Sequence, residues 1–450
     1  MLFKKNLLPS YLALIAISVF YSCNKDEGPA EPDPTGFLGE IDFVRTYGGS
    51  GEDDATSMVI ANDGNYVLLG YTDSNDGDIT DKTGTDFDYW VTKITPAGEL
   101  LWSKTYGGSD DDKGANISKT SDGGYLLSGY SSSADGDVSN NAGFQDYWIV
   151  KIDSQGTLMW DKSYGFSGVD QSFDAFQTND GGYFITGFLD VTASGGQGND
   201  DGRNPQHGVG EFWGIRLDAN GNTIWRRYFG GTNNDRSYGA VQTADGGFLM
   251  TGSSESDDFD ITDSKGSYDF WAVRLNSAGD KLWTKSFGGS EIDIGYAMSH
   301  SNDGNYIMVG DTRSSDGDVT NPLGNADAWA VKFNDAGTLI WQKTYGGSQF
   351  ESARSIVPIS NGRYVVAAST RSTNGDLTAN VGLNDAWTFI INEQGGIDFQ
   401  MSVGGSKLDF ANKAMETADG KLVVIGNSES SDVDIPQNRG KIDLLFIQIK

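Results

Sequence analysis

The stretch Trp102-Ser103-Lys104-Thr105-Tyr106-Gly107-Gly108-Ser109 returns, with small changes, along almost the whole chain. Its variants begin at Phe43, Trp160, Trp225, Trp283, Trp341 and Phe399, at separations of 59, 58, 65, 58, 58 and 58 residues. A fixed period of this size means one supersecondary unit per copy, each burying its apolar face on its neighbours. In the fifth copy, strands are expected at Tyr296–Ser301, Tyr306–Thr312, Ala328–Phe333 and Leu339–Tyr345. They are joined by the turn Asn302-Asp303-Gly304-Asn305, a polar loop over 313–327 and the turn Asn334-Asp335-Ala336-Gly337. Asp-Gly at the centre of a short connection is a hairpin signal, and four short antiparallel strands make a propeller blade. The first copy opens on an orphan strand, Ile41–Tyr47, while the last stops one strand short at Leu444–Lys450. Pairing the two removes both open edges. The expected fold is therefore all-β, a seven-bladed β-propeller closed by its N-terminal strand.

Composition agrees. The chain has 61 Gly, 9 Pro, 11 Trp, 19 Tyr and 23 Phe in 450 residues, which suits short strands and tight turns. All the Trp fall on two repeat positions: Trp90, Trp148, Trp213, Trp271, Trp329 and Trp387, then Trp102, Trp160, Trp225, Trp283 and Trp341. Such regularity predicts inter-blade core for both sets. A net charge of −31 repels nucleic acid and favours cations or basic partners.

Residues 1–22 carry Lys4 and Lys5 before the apolar run from Leu7 to Phe20, a secretory signal too short to span a membrane comfortably. Cys23, the single cysteine, stands where the segment resembles a bacterial lipoprotein signal. The resemblance implies cleavage before Cys23, lipidation of its thiol, and an outer-membrane address with membrane contact through the lipid alone. Asn24-Lys25-Asp26-Glu27 resembles a surface-export signal of Gram-negative lipoproteins. The domain expectation is signal 1–22, lipidated Cys and tether 23–37, propeller 38–450.

The repeat has a relative. Thr46-Tyr47-Gly48-Gly49-Ser50-Gly51-Glu52-Asp53-Asp54-Ala55, Asn62-Asp63-Gly64-Asn65-Tyr66-Val67 and Asp88-Tyr89-Trp90-Val91-Thr92-Lys93-Ile94 resemble the bacterial β-propeller repeat known as SBBP. That resemblance implies a secreted or surface propeller and adds little about chemistry.

Three acidic positions recur: Asp53, Asp112 and Asp293 after the Gly-Gly turn; Asp78, Asp137 and Asp318 in the long loop; Asp88, Asp146 and Asp327 before the third-strand aromatic. In an up-and-down blade all three sets open on one end. Two readings fit them. The acids accept hydrogen bonds from loop N–H groups or pair with the strand bases Lys93, Lys151, Arg216, Arg274 and Lys332, or they bind Ca²⁺, which takes six to eight oxygens. The third copy is longer, with an insertion over 193–210 that holds His207, a candidate because function on repeat scaffolds lives in such loops. No Gly-x-Ser-x-Gly, phosphate loop or His-x-x-x-His motif is present. The resulting expectation is a binding or adhesion module for glycan or protein at the acidic face. The alternatives are a polysaccharide-active surface enzyme and a periplasm-facing scaffold for outer-membrane assembly.

Overall fold

The computed structural model describes residues 37–201 and 207–450. The signal segment, Cys23 and residues 24–36 of the tether lie outside the described residues. Seven four-stranded antiparallel sheets form the blades of a propeller, six of them built from consecutive strands. Blade 1 runs through Asp53–Ile60, Tyr66–Thr72, Asp88–Ile94 and Leu100–Tyr106. Blade 7 takes Asp409–Glu416, Leu422–Ser428 and Asp443–Ile449 from the end of the chain and Ile41–Tyr47 from its beginning. Thr46 stands opposite Leu445 and Tyr47 opposite Leu444, so the two termini close the ring. Phe37 sets its ring edge-on to Phe399, 5.0 Å between centroids.

In blade 5, Tyr306–Thr312 and Leu339–Tyr345 fall where the sequence places them. The first strand starts three residues early, at Asp293, and the third one early, at Asp327. Both acids are tied into the corner that begins the strand, which extends the ladder.

The third strand of every blade is apolar on both faces because each sheet is sandwiched between neighbours. Trp90, Trp148, Trp213, Trp271, Trp329 and Trp387 are at most 1% exposed. The residue preceding each of several of these meets the next blade's Trp with its ring tilted or edge-on: Tyr89 and Trp148 at 4.6 Å, Phe212 and Trp271 at 4.5 Å, Phe270 and Trp329 at 4.6 Å between centroids. The second Trp set meets the expectation in part: Trp225 is buried in the core, and the others pack against it without full burial. These residues lie on the outermost strand, and Trp102, Trp160, Trp283 and Trp341 are only half-buried. They reach sideways to the next blade's turn: the Nε1 groups of Trp225, Trp283 and Trp341 donate to the carbonyls of Ser277, Asp335 and Glu393. The set thus seals the outer edge of the core between neighbouring blades.

One irregularity recurs in every blade. The first strand shifts register against the second between Ala55 and Ser57, Gly114 and Asn116, Ser172 and Asp174, Ser237 and Gly239, Gly295 and Ala297, Ala353 and Ser355, and Ala411 and Lys413. The extra residue is a β-bulge, which re-aims side chains. It turns two consecutive residues of each inner strand toward the ring axis, where strict alternation would turn one.

Candidate functional site

The recurring acids do gather at one end, but as seven separate corners. In blade 1, Asp78 accepts from the Gly48 N–H at 3.0 Å and Asp53 from the Gly49 N–H at 2.7 Å. Asp53 also accepts from Thr72 Oγ1 at 2.5 Å and Ser74 Oγ at 3.0 Å. Blades 2 and 5 repeat the pattern with Asp137 and Asp112 on Gly107 and Gly108, and with Asp318 and Asp293 on Gly288 and Gly289. The third-strand acid of one blade enters the next blade's corner. Asp88 and Asp112 both crowd the space a side chain on Gly107 would need, as Asp146 and Asp170 do at Gly165. One oxygen of Asp146 accepts from the Ala142 N–H at 2.6 Å, and one of Asp327 from the Leu323 N–H at 2.6 Å. Asp88 takes Lys82 Nζ at 2.9 Å. The second oxygen of Asp88, Asp146 and Asp327 is buried without a partner.

Burial pushes Asp53, Asp88, Asp112 and Asp327 up to about 6 and raises Asp137, Asp146 and Asp293 above the ordinary carboxylate range. Among the described residues no three acid, His or Cys side chains converge as a metal-holding group. The corners act as clasps between blades.

The strand bases pair elsewhere. Lys93 meets Asp63 at 2.7 Å, Lys151 Asp122 at 3.0 Å, Arg216 Asp180 at 2.6 Å, Arg274 Asp245 at 2.9 Å and Lys332 Asp303 at 2.7 Å. Those acids belong to the hairpin turns at the opposite end, so pairing between strand bases and corner acids is corrected by the geometry. The signal was present in the repeated Asp-Gly of each turn.

His207 is buried rather than solvated. It is 8% exposed, with Nδ1 3.0 Å from Glu211 Oε2 and its ring stacked on Phe259 at 4.9 Å. Burial lowers the imidazole and raises the Glu211 carboxyl well above its usual value, so both favour neutral forms.

The feature that sequence reasoning missed lies on the axis. The bulge pairs Thr56-Ser57, Ala115-Asn116, Phe173-Asp174, Tyr238-Gly239, Tyr296-Ala297, Arg354-Ser355 and Asn412-Lys413 line a central cavity of about 670 Å³. Phe173, Tyr238 and Tyr296 form an arc, with ring centroids 5.1 and 5.4 Å apart, and Arg354 Cζ lies 3.9 Å over Tyr296. Across from them runs a polar belt. Lys413 Nζ is 3.4 Å from Ser57 Oγ, Ser57 donates to Asn116 Oδ1 at 2.7 Å, and Asn116 donates to Asp174 Oδ1 at 2.7 Å. The Ala240 N–H closes on Asp174 Oδ2 at 3.0 Å. Non-recurrence at inward positions was the available signal: around these residues the repeat is kept, and at them it is not.

No family model matches the chain, and no curated protein matches it. Among solved structures, a protein of unknown function from Bacteroides caccae aligns at 11% identity over 80% of this chain and 93% of its own, with a TM-score of 0.41. Sqt1 from Chaetomium thermophilum aligns at 11% identity over 86% and 82%, TM-score 0.44. A DUF4221 member from Bacteroides vulgatus aligns at 11% identity over 92% and 98%, TM-score 0.38. The fold by itself assigns no activity, and the chemistry must be sought in this chain's own residues.

Proposed function

We propose that this protein is a ligand-capturing β-propeller, held by a lipid on Cys23 at the outer face of a Gram-negative outer membrane, which binds glycan or protein ligands at its axis. One observation carries the reading. The bulge positions that line the axial cavity differ from blade to blade, whereas the corner acid recurs in all seven blades, the core Trp in six and the strand base in five. Residues that only hold a ring together follow its symmetry, while a site for an asymmetric ligand must break it. The axis is preferred to the acidic end because the corner carboxylates already accept hydrogen bonds from their own loops. A cavity of this volume, with aromatic walls and a few convergent polar groups, has the character of small-ligand sites. The lipoprotein-like segment around Cys23 and the resemblance to SBBP repeats support the surface address.

The test is a glycan and protein binding screen on the full chain in mild detergent, run beside Tyr238→Ala. A ligand held by the native protein and lost by the variant supports the reading. A ligand held equally by both, and lost instead on Asp318→Asn, moves the site to the acidic end and overturns it.

A further inference from the structure

The cavity has two unlike walls. On blades 3 to 5 the half-exposed rings of Phe173, Tyr238 and Tyr296 face the axis, and Met298, Ile356 and Val357 extend the apolar surface. The opposite wall carries Lys113, Asn116, Ser57, Asn412 and Lys413, with Arg354 where the two walls meet. A ligand filling this space needs a flat apolar face on one side and hydrogen-bonding groups along the other edge.

Charge narrows it further. Both oxygens of Asp174 are taken by Asn116 and Ala240, and Asp54 is held by Asn427 and Tyr71. The cavity's anions are thus satisfied by the protein. Among the described residues its cations Lys113, Arg354 and Lys413 form no direct ion pair, whereas the framework bases Lys93, Lys151, Arg216, Arg274 and Lys332 all do. Lys113 nonetheless lies within electrostatic reach of Asp54, Lys413 of Asp174 and Arg354 of Asp311. Lys113 lies against the rings of Phe87 and Tyr71, at 3.8 and 4.6 Å, and Lys413 reaches Ser57 Oγ and feels the Asp174 carboxyl. In a chain of net charge −31, three cations without an ion pair line the axial cavity. Burial holds Lys413 below its usual value, and a desolvated ammonium gains most from an anion placed beside it.

An aryl carboxylate would meet the rings and the cations but would leave the side-chain carbonyl of Asn412, whose amide N–H₂ is given to the Ala55 carbonyl, facing carbon, and a polar group stripped of water without a partner is costly. A neutral sugar would satisfy rings and belt but leave the cations unmatched. A sugar ring carrying a carboxylate answers all three.

We propose that the axial cavity binds an acidic sugar, a uronate residue within a short oligosaccharide. Its C–H face lies on Phe173, Tyr238 and Tyr296, its hydroxyls meet Ser57, Asn116 and Asn412, and its carboxylate is taken by Lys413 and Arg354. This rests on the axial-binding reading above and names the ligand class.

Calorimetric titration of the full chain in mild detergent tests it, using trigalacturonate and a hyaluronan tetrasaccharide as probes and galactotriose and benzoate as controls. At least one uronate binds, and galactotriose binds about tenfold or more weaker, the loss expected when a charge-assisted contact goes. Tyr238→Ala and Lys413→Met each weaken uronate binding by a similar factor. Arg354 is solvent-exposed, so Arg354→Met supplies a variant whose folding is not in question. Galactotriose bound as tightly as the uronates, or uronate binding indifferent to both cation variants, overturns the acidic-sugar assignment while axial binding stands. Benzoate displacing the uronate at equal concentration overturns the sugar. Neither uronate binding, with no ligand found in the broader screen, removes both readings.

Discussion

Replacing Asp146 by Asn is expected to stabilise this protein at neutral pH. Asp146 Oδ2 accepts from the Ala142 N–H, while Oδ1 is buried without a partner beside the Asp170 carboxyl of the next blade. Burial raises Asp146 above the ordinary range and pushes Asp170 up to about 7. An Asn keeps the acceptor for Ala142 and offers an N–H₂ to Asp170, turning a repulsion into a hydrogen bond. The same logic fixes the sign with pH. A carboxyl whose folded pKa lies above its unfolded value of 3.8 binds its proton more readily in the folded state. The stability it contributes is full below pH 4 and is lost as pH rises through about 6 to 7. Asp53, Asp88, Asp112, Asp235, Asp269 and Asp327 are pushed up to about 6, and Asp385 to about 7. Seven corners each contributing about 1 kcal/mol, well under the full linkage of a two-unit shift, give about 7 kcal/mol. At about 2 cal/mol/K per residue of unfolding entropy, that raises Tm by roughly 8 °C between pH 7.5 and pH 5. Below about pH 4 the hairpin acids reverse the trend. Hydrogen bonds from Thr120, Gly124 and Lys151 outweigh burial and hold Asp122 at about 2, and Thr243 with its neighbours holds Asp245 at about 2. Their stabilisation disappears as they protonate. Differential scanning calorimetry from pH 3 to 8 should therefore show a maximum near pH 4 to 5, with Asp146→Asn raising Tm at pH 7.5 by about 1 °C. A Tm that falls steadily from pH 7.5 to 5, or rises with millimolar calcium over chelator, refutes this account of the buried corner carboxyls and returns the corners to metal binding.

Three further outcomes are expected. Deleting residues 38–48 removes the strand that pairs with Asp443–Ile449 and the burial of Phe43, Val44 and Tyr47; at about 1.5–3 kcal/mol each, the loss should lower Tm by 5 °C or more, and a deletion melting within about a degree of the native chain contradicts closure by that strand. A Cβ on Gly310 would run into the Ile294 carbonyl opposite the bulge, so Gly310→Ala should cost about 2–3 kcal/mol in urea unfolding. By contrast Gly304→Asn, at a left-handed turn with open space around it, should cost under about 1 kcal/mol. Cys23→Ser should move the protein from the membrane to the soluble fraction; retention after a salt wash would end the lipid-anchor reading.

Blade number, strand positions and ring closure were legible in the sequence because each depends on local pattern repeated seven times. Even the departures are local. Blade 6 carries Ile390 where blade 5 has Lys332, and Asn361, at φ 58°, where blade 5 has the partner Asp303, so base and acid disappear together. The corner acids were visible as a set, but not that Asp146 of one blade meets Asp170 of the next, since that requires the seam between sheets. The axial site left only the non-recurrence of its residues as a signal, with nothing to say which of them face inward. Strict alternation would send only one of Asn412 and Lys413 inward, and only the bulge sends both. Closing the ring brings Lys413 to Ser57 across 356 residues of chain. Sequence determined which residues each blade offers to its inner edge; register and closure decided which of them meet.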